Sequence, residues 1–211
     1  MKKIRFFSFI LCLALFVTLL APSALALSAP ELDGQAALVV DMDSGRFLYA
    51  LNAEQKRAPA SLTKIMSVLL ALEAVDRGDV SLSDIVTAQN DCREGLGDDS
   101  STAGIIPGVQ LSLRELMFCA MVGSANEACN VIGSYLSGSV SAFVDRMNQR
   151  ASQLGCVNTH FVNTNGLPAE DHYSTAYDIY LITMEAMNYS KSQCKSYYQE
   201  KKSFSFHIYH D

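Results

Sequence analysis

The most chemically suggestive stretch of the sequence is Ser61-Leu62-Thr63-Lys64, a serine three residues ahead of a lysine. On a helix, positions i and i+3 share a face one turn apart, so the Ser61 hydroxyl and the Lys64 amine can meet. A serine hydroxyl is a poor nucleophile until a base takes its proton. A lysine becomes such a base when burial lowers its pKa. Lys64 sits among Leu62, Ile65, Met66 and Val68, surroundings that solvate an ammonium poorly. Ala58-Pro59-Ala60 puts Ser61 at the first turn of the predicted helix. There, free N–H groups and the positive end of the helix dipole suit a developing oxyanion. The tetrad alone proves little, because S-x-x-K also occurs where serine caps a helix and lysine faces water.

A second polar element, Ser124-Ala125-Asn126, falls in a break between two apolar helical stretches. A hydroxyl able to relay a proton and an amide able to hold a carbonyl, one residue apart, can face one cleft. The plainer alternative is a polar helix junction. His172 is expected to be structural, since a Ser–Lys pair needs no imidazole. Asp178 reads as a carboxylate near a helix start rather than a catalyst. Of the six cysteines, Cys92, Cys119, Cys129, Cys156 and Cys194 lie outside the leader and none shows CxxC spacing, so a zinc site is not expected. Cys119 and Cys129 sit in apolar surroundings and read as buried, inert thiols.

Elements of regular structure must hold these residues in place. Two short runs, Ala36–Val40 and Arg46–Leu51, flank a turn-rich Asp41–Gly45 and predict a β-hairpin. Pro59-Ala60 halts the extended chain. Ile65, Val68, Leu69, Leu72 and Val75 then recur at helical spacing up to Gly78, with apolar residues on nearly every face, as in a buried central helix. A loop-rich stretch from Asn90 to Gly108 follows. Ser112-Leu113-Arg114-Glu115 is a capping-box pattern opening a helix through Leu116, Met117, Ala120 and Met121. Helix resumes over Ala128–Leu136. From Ser139 to Leu154 the residues Val140, Phe143, Val144, Met147, Ala151 and Leu154 line one face of an amphipathic helix. Phe161–Asp171 reads as a polar loop. Ser174–Asp178 reads as the capped start of a helix reaching about Asn188, and Phe204–Tyr209 as a short strand. The pattern implies an α/β domain whose sheet joins the first strands to later ones.

The chain has 211 residues, of which 49% are hydrophobic, enough for a packed core of one domain. Its net charge of −6 and lack of a long Lys/Arg run exclude nucleic acid as the expected partner. Lys2, Lys3 and Arg5 precede an apolar run from Phe6 to Ala21 and the small residues of Ala24-Leu25-Ala26. This is the pattern of a secretory leader, residues 1–26, with cleavage after Ala26. The alternative, an uncleaved anchor, is disfavoured because the run is short for a span of about 20 residues. Residues 27–211 then form the exported chain, held at a membrane only if the leader stays uncleaved or a further anchor exists.

Taken together, three stretches resemble the low-molecular-weight penicillin-binding proteins that act as serine D-alanyl-D-alanine carboxypeptidases, the S11 peptidases. They are Ala36–Asp41 through Pro59–Met66, Gly123–Ala128, and Phe161–Pro168 with His172–Asp178. Their order and spacing match the family, and they cover most of residues 36–190. The resemblance implies a β-lactamase/DD-peptidase-like α/β fold. It makes Ser61 the acylated nucleophile, Lys64 its general base, Ser124 a proton shuttle and Asn126 a ligand of the peptide. The implied substrate is a peptidoglycan stem peptide ending in D-Ala-D-Ala, with β-lactams as covalent inhibitors. No metal or organic cofactor is implied.

The sequence departs from the family in one respect. No glycine follows Gly166, so the K-T-G strand that completes the family's cleft does not occur downstream. Residues 27–211 are accordingly expected to be the N-terminal part of the catalytic domain, a fragment or a shortened copy, and to acylate slowly or not at all. An inactive penicillin-binding domain is the alternative reading. A β-lactamase, which needs a deacylating carboxylate such as Glu170, is a more distant one.

Overall fold

The computed structural model describes residues 32–194. Two antiparallel strands come first, β1 (Ala37–Val40) and β2 (Phe47–Leu51), paired Ala37 to Leu51 with an irregularity between Val39 and Val40. The Asp41 carboxylate makes the turn between them, accepting the N–H groups of Asp43 and Ser44 at 3.0 and 3.2 Å. An aspartate that bonds its own backbone two and three residues on is a standard turn former, so this hairpin lies where the sequence predicts it.

A 3-10 turn, Ala60–Leu62, leads directly into helix α1 (Thr63–Asp76). Eleven of the fourteen residues of α1 are buried, among them Met66, Leu69 and Ala71 with no exposed surface. Each such Leu or Met side chain contributes about 1.5–3 kcal/mol over its exposed state. The uniformly apolar pattern thus has its expected meaning, a helix enclosed on all sides. Two further short strands, β3 (Ile85–Thr87) and β4 (Gln110–Ser112), pair antiparallel and bracket the long loop between them.

Helix α2 (Leu113–Met121) starts with the predicted capping box. Ser112 Oγ accepts the Glu115 N–H, and the Glu115 carboxylate accepts the Ser112 N–H. Helices α3 (Asn126–Ser137) and α4 (Val140–Gln153) follow, with Val140, Phe143, Met147 and Ala151 buried on the predicted face of α4. Gly133 lets α3 and α4 touch, because a Cβ there would lie 2.9 Å from the buried Phe143 ring. The last described helix, α5 (Ala176–Cys194), packs against α1. Arg150 on α4 bridges Glu73 of α1 at 2.7 Å and Glu185 of α5 at 2.5 Å, tying three helices together.

The structure differs from the sequence reading at three places. Helix α5 continues past Asn188 to Cys194. Its start is capped within the predicted Ser174–Asp178 stretch, by Thr175, whose hydroxyl accepts the Asp178 N–H at 3.0 Å. Cys119 is only half-buried, packed against the edge of the core. Among the described residues the strands form two separate pairs, β1–β2 and β3–β4, with no later strand joined to the first. The strand predicted over Phe204–Tyr209 and the leader over 1–26 lie outside the described residues. No helix among the described residues is long and apolar enough to cross a membrane.

Candidate active site

Pro59 fixes the entry into the 3-10 turn, and Ala60 takes the left-handed conformation at φ 48°. Such backbone strain at a non-glycine residue persists only where its surroundings enforce it. The turn leaves Ser61 exposed and turns Lys64, on the first turn of α1, inward to 2% exposure. Lys64 Nζ lies 3.0 Å from Ser61 Oγ, as the i, i+3 spacing predicts. Its other partner is the Asn165 carbonyl at 2.8 Å. Burial holds the Lys64 amine below the usual lysine range, while Glu127 nearby pulls it partly back up. A buried amine that gives up its proton more easily is what a general base requires.

Ser124 enters from the junction between α2 and α3, also in the left-handed region at φ 51°. Two backbone bonds pin this junction, Ala125 N–H to the Cys119 carbonyl and Asn126 N–H to the Ser101 carbonyl, both at 2.9 Å. They deliver Ser124 Oγ to within 3.0 Å of Ser61 Oγ. Lys64, Ser61 and Ser124 therefore form one continuous hydrogen-bonded chain. Asn126 starts α3 two residues on and is 4% exposed. The polar junction thus brings Ser124 to Ser61, while Asn126 is buried beside it in the chain.

The sequence reading treated Phe161–Asp171 as a polar loop, yet it forms the inner wall of the site. Thr164 and Asn165 are buried. Asn163 Oδ1 accepts the Gly166 N–H at 2.7 Å and folds the loop tip onto α1. Ser67 Oγ donates to the Thr164 carbonyl at 2.6 Å, and Thr164 Oγ1 donates to Asn130 Oδ1 at 2.6 Å, which links the loop to α3. Asn165 binds through its backbone, which has no signature in sequence; the cluster of Asn163, Asn165 and Gly166 was the only available signal. Asp178 is buried and accepts the Asn158 N–H and the Thr159 hydroxyl, consistent with an anchoring role at a helix start. Glu170 is exposed.

His172 is buried at 6% exposure, with Nδ1 accepting the Val162 N–H at 3.0 Å and Nε2 at 2.9 Å from Thr63 Oγ1. Burial, reinforced by nearby His160, pushes its pKa down from 6.5 to about 4. A histidine depressed in the folded state contributes full stability above the unfolded value of 6.5 and loses it as pH falls toward 4. We expect unfolding free energy to decline by about 3 kcal/mol across that window from this group. Urea unfolding of wild type and His172→Gln at neutral and acidic pH measures it. Equal acid sensitivity in the two would show that another group carries the effect.

Over residues 23–210 the chain matches the family model described as D-alanyl-D-alanine carboxypeptidase, peptidase S11, and it belongs to that family. It is 36% identical over 158 residues to the D-alanyl-D-alanine carboxypeptidase DacF of Bacillus subtilis, covering 74% of this chain and 40% of that protein. Its fold is similar to that of penicillin-binding protein 5 from Haemophilus influenzae, at a TM-score of 0.75 and 30% identity. That match covers 85% of this chain and 52% of the other. Penicillin-binding protein D2 of Listeria monocytogenes, solved in its ampicillin-bound form, is similar at a TM-score of 0.65 and 29% identity, over 77% of this chain and 64% of the other. The chain thus spans roughly two fifths to two thirds of the length of these relatives. The α/β fold is that of the penicillin-binding DD-peptidases.

Proposed function

We propose that the protein is a serine-type D-Ala-D-Ala carboxypeptidase acting on peptidoglycan stem peptides through an acyl-serine intermediate. The observation that carries this reading is the unbroken chain from Lys64 Nζ through Ser61 Oγ to Ser124 Oγ, each link 3.0 Å. The neutral Lys64 amine takes the Ser61 proton as Oγ attacks the carbonyl of the penultimate D-alanine. The new oxyanion forms at the start of α1, where the helix N-terminus favours negative charge. Ser124 returns a proton to the leaving amine, D-alanine departs, and water releases the acyl group by the reverse relay. Asn126, two residues beyond Ser124 at the start of α3, is assigned to holding the peptide. A β-lactam is attacked by the same Ser61 Oγ, and its ring opens to a stable ester. Binding of ampicillin by the Listeria relative supports this part of the reading.

Prolonged incubation of the chain with a fluorescent penicillin, followed by peptide mapping, is expected to place the adduct on Ser61. Release of D-alanine from a pentapeptide substrate should accompany it. Ser61→Ala should remove both signals, and an adduct that survives in that variant would sink the assignment.

We further propose that residues 1–26 are a cleaved export leader, which brings the site to the peptidoglycan outside the cytoplasm. The support is the basic start, the apolar run and Ala24-Leu25-Ala26. Mass spectrometry of the secreted protein should find Leu27 at its N-terminus, whereas intact Met1 or cytosolic retention would contradict the export reading.

A further inference from the structure

We propose that His172 is a positioning residue for acylation, clamping the Ser61–Lys64 turn to the loop whose Asn165 carbonyl holds the Lys64 amine. This rests on the reading of Ser61 and Lys64 as nucleophile and base. The loop from Phe161 to His172 meets that turn at three places. Gly166 lies against the Ala60 carbonyl, Asn165 O binds Lys64 Nζ, and His172 Nε2 meets Thr63 Oγ1. Only His172 also grips the far end of the loop, through the Val162 N–H.

The ring's chemistry fits this position. Because Nδ1 accepts the Val162 N–H, the neutral imidazole carries its proton on Nε2 and donates it to Thr63 Oγ1. Thr63 is wholly buried and lies between the two reacting side chains in sequence. Phe161 packs on the ring, with centroids 5.8 Å apart, and holds it in the plane that both bonds need. Without the imidazole, the wholly buried Thr63 hydroxyl and the Val162 N–H each lose a partner. The loop then rests on Ser67, Asn130 and Asn148, and a small shift of its seat on the turn lengthens the contact between the Asn165 carbonyl and Lys64.

The clamp works only while the ring is neutral. A second proton on Nδ1 would point at the Val162 N–H and break that bond. The titratable groups around the ring are His160, whose Nδ1 lies 2.8 Å from the Asp171 carbonyl, Lys64 on α1, and Asp171 next in the chain. Both ring nitrogens are engaged by Val162 and Thr63, and among the described residues no carboxylate bonds the ring to compensate a charge there.

The test uses the full chain and follows the rate of fluorescent-penicillin labelling across roughly pH 4–8. His172→Ala should slow labelling at neutral pH by about ten- to a hundredfold, the effect of misplacing a reacting group by a fraction of an ångström to an ångström. His172→Gln should restore most of the rate, because its amide offers an acceptor to Val162 and a donor to Thr63. It should also remove the fall in rate on the acid side that the imidazole causes. A purely structural role predicts neither the rescue nor the altered pH profile. Labelling of His172→Ala within about twofold of wild type overturns the proposal. Nitrogen-15 spectra test the clamp without relying on activity: His172 should stay neutral and protonated on Nε2 well below 6.5. An Nδ1–H tautomer, or a ring titrating near 6.5, overturns it. An adduct that maps away from Ser61, while the ring shows the expected tautomer, overturns the Ser–Lys reading and the catalytic half of this proposal with it.

Discussion

Replacing Lys64 with arginine is expected to lower the rate of Ser61 acylation by about 10²–10⁴-fold, the usual contribution of a positioned general base. The amine can accept a proton because burial disfavours its charged form. A guanidinium stays protonated under all working conditions and cannot take the Ser61 proton. Its planar fork also cannot reproduce the two directions in which Nζ meets Ser61 Oγ and the Asn165 carbonyl. The slot around Lys64 is 2% exposed, so a larger side chain will also strain the site. Lys64→Met, which removes the amine without adding bulk, separates the two effects. Both variants should lose labelling, while Met should keep the melting temperature closer to wild type. Normal labelling in either variant would remove Lys64 from the role of base.

Gly166→Ala is expected to disrupt the site more than any other single-methyl addition. A Cβ at this position would lie 1.7 Å from the Ala60 carbonyl oxygen and 2.3 Å from its carbon, both fixed backbone atoms. It would also meet Thr63 Oγ1 at 3.0 Å, and the backbone there has φ +92°, a region that side chains other than glycine rarely adopt. Overpacking and backbone strain each cost about 1–3 kcal/mol, so a combined loss of roughly 3–5 kcal/mol is expected. Relief can come only by moving the loop tip or the Ala60–Leu62 turn, and either shift separates Ser61, Lys64 and the Asn165 carbonyl. Chemical denaturation and penicillin labelling of the same preparation should both fall sharply. A variant with wild-type stability and labelling would mean that the loop is not seated on the turn as described.

Glycine is therefore required at position 166 for the site rather than for a turn alone, and nothing local marks that requirement. The sequence around it shows a run of turn formers, Asn163-Thr164-Asn165-Gly166, that is compatible with any surface loop. What distinguishes this loop is its burial against α1, with Thr164 and Asn165 almost fully enclosed. The same holds for His172, whose partner Thr63 lies 109 positions earlier in the chain.

The sequence by itself determined the features that arise from contiguous residues. The Asp41 turn, the enclosed helix α1, the Ser112–Glu115 box and the apolar face of α4 all follow from spacing and from side chains bonding their own backbone. The meeting of Ser61 with Lys64 belongs here too, because one helical turn separates them whatever the rest of the chain does. Only the tertiary structure decided that Ser124, 63 residues away, completes the relay, and that a backbone carbonyl at Asn165 holds the lysine. Every residue carries a carbonyl, so none is marked in advance as the one that will face an amine. Packing selects it: α1 is enclosed by α2, α3, α4 and α5, and the 161–172 loop closes over its first turn. The burial that stabilises the helix is also what lowers the pKa of Lys64.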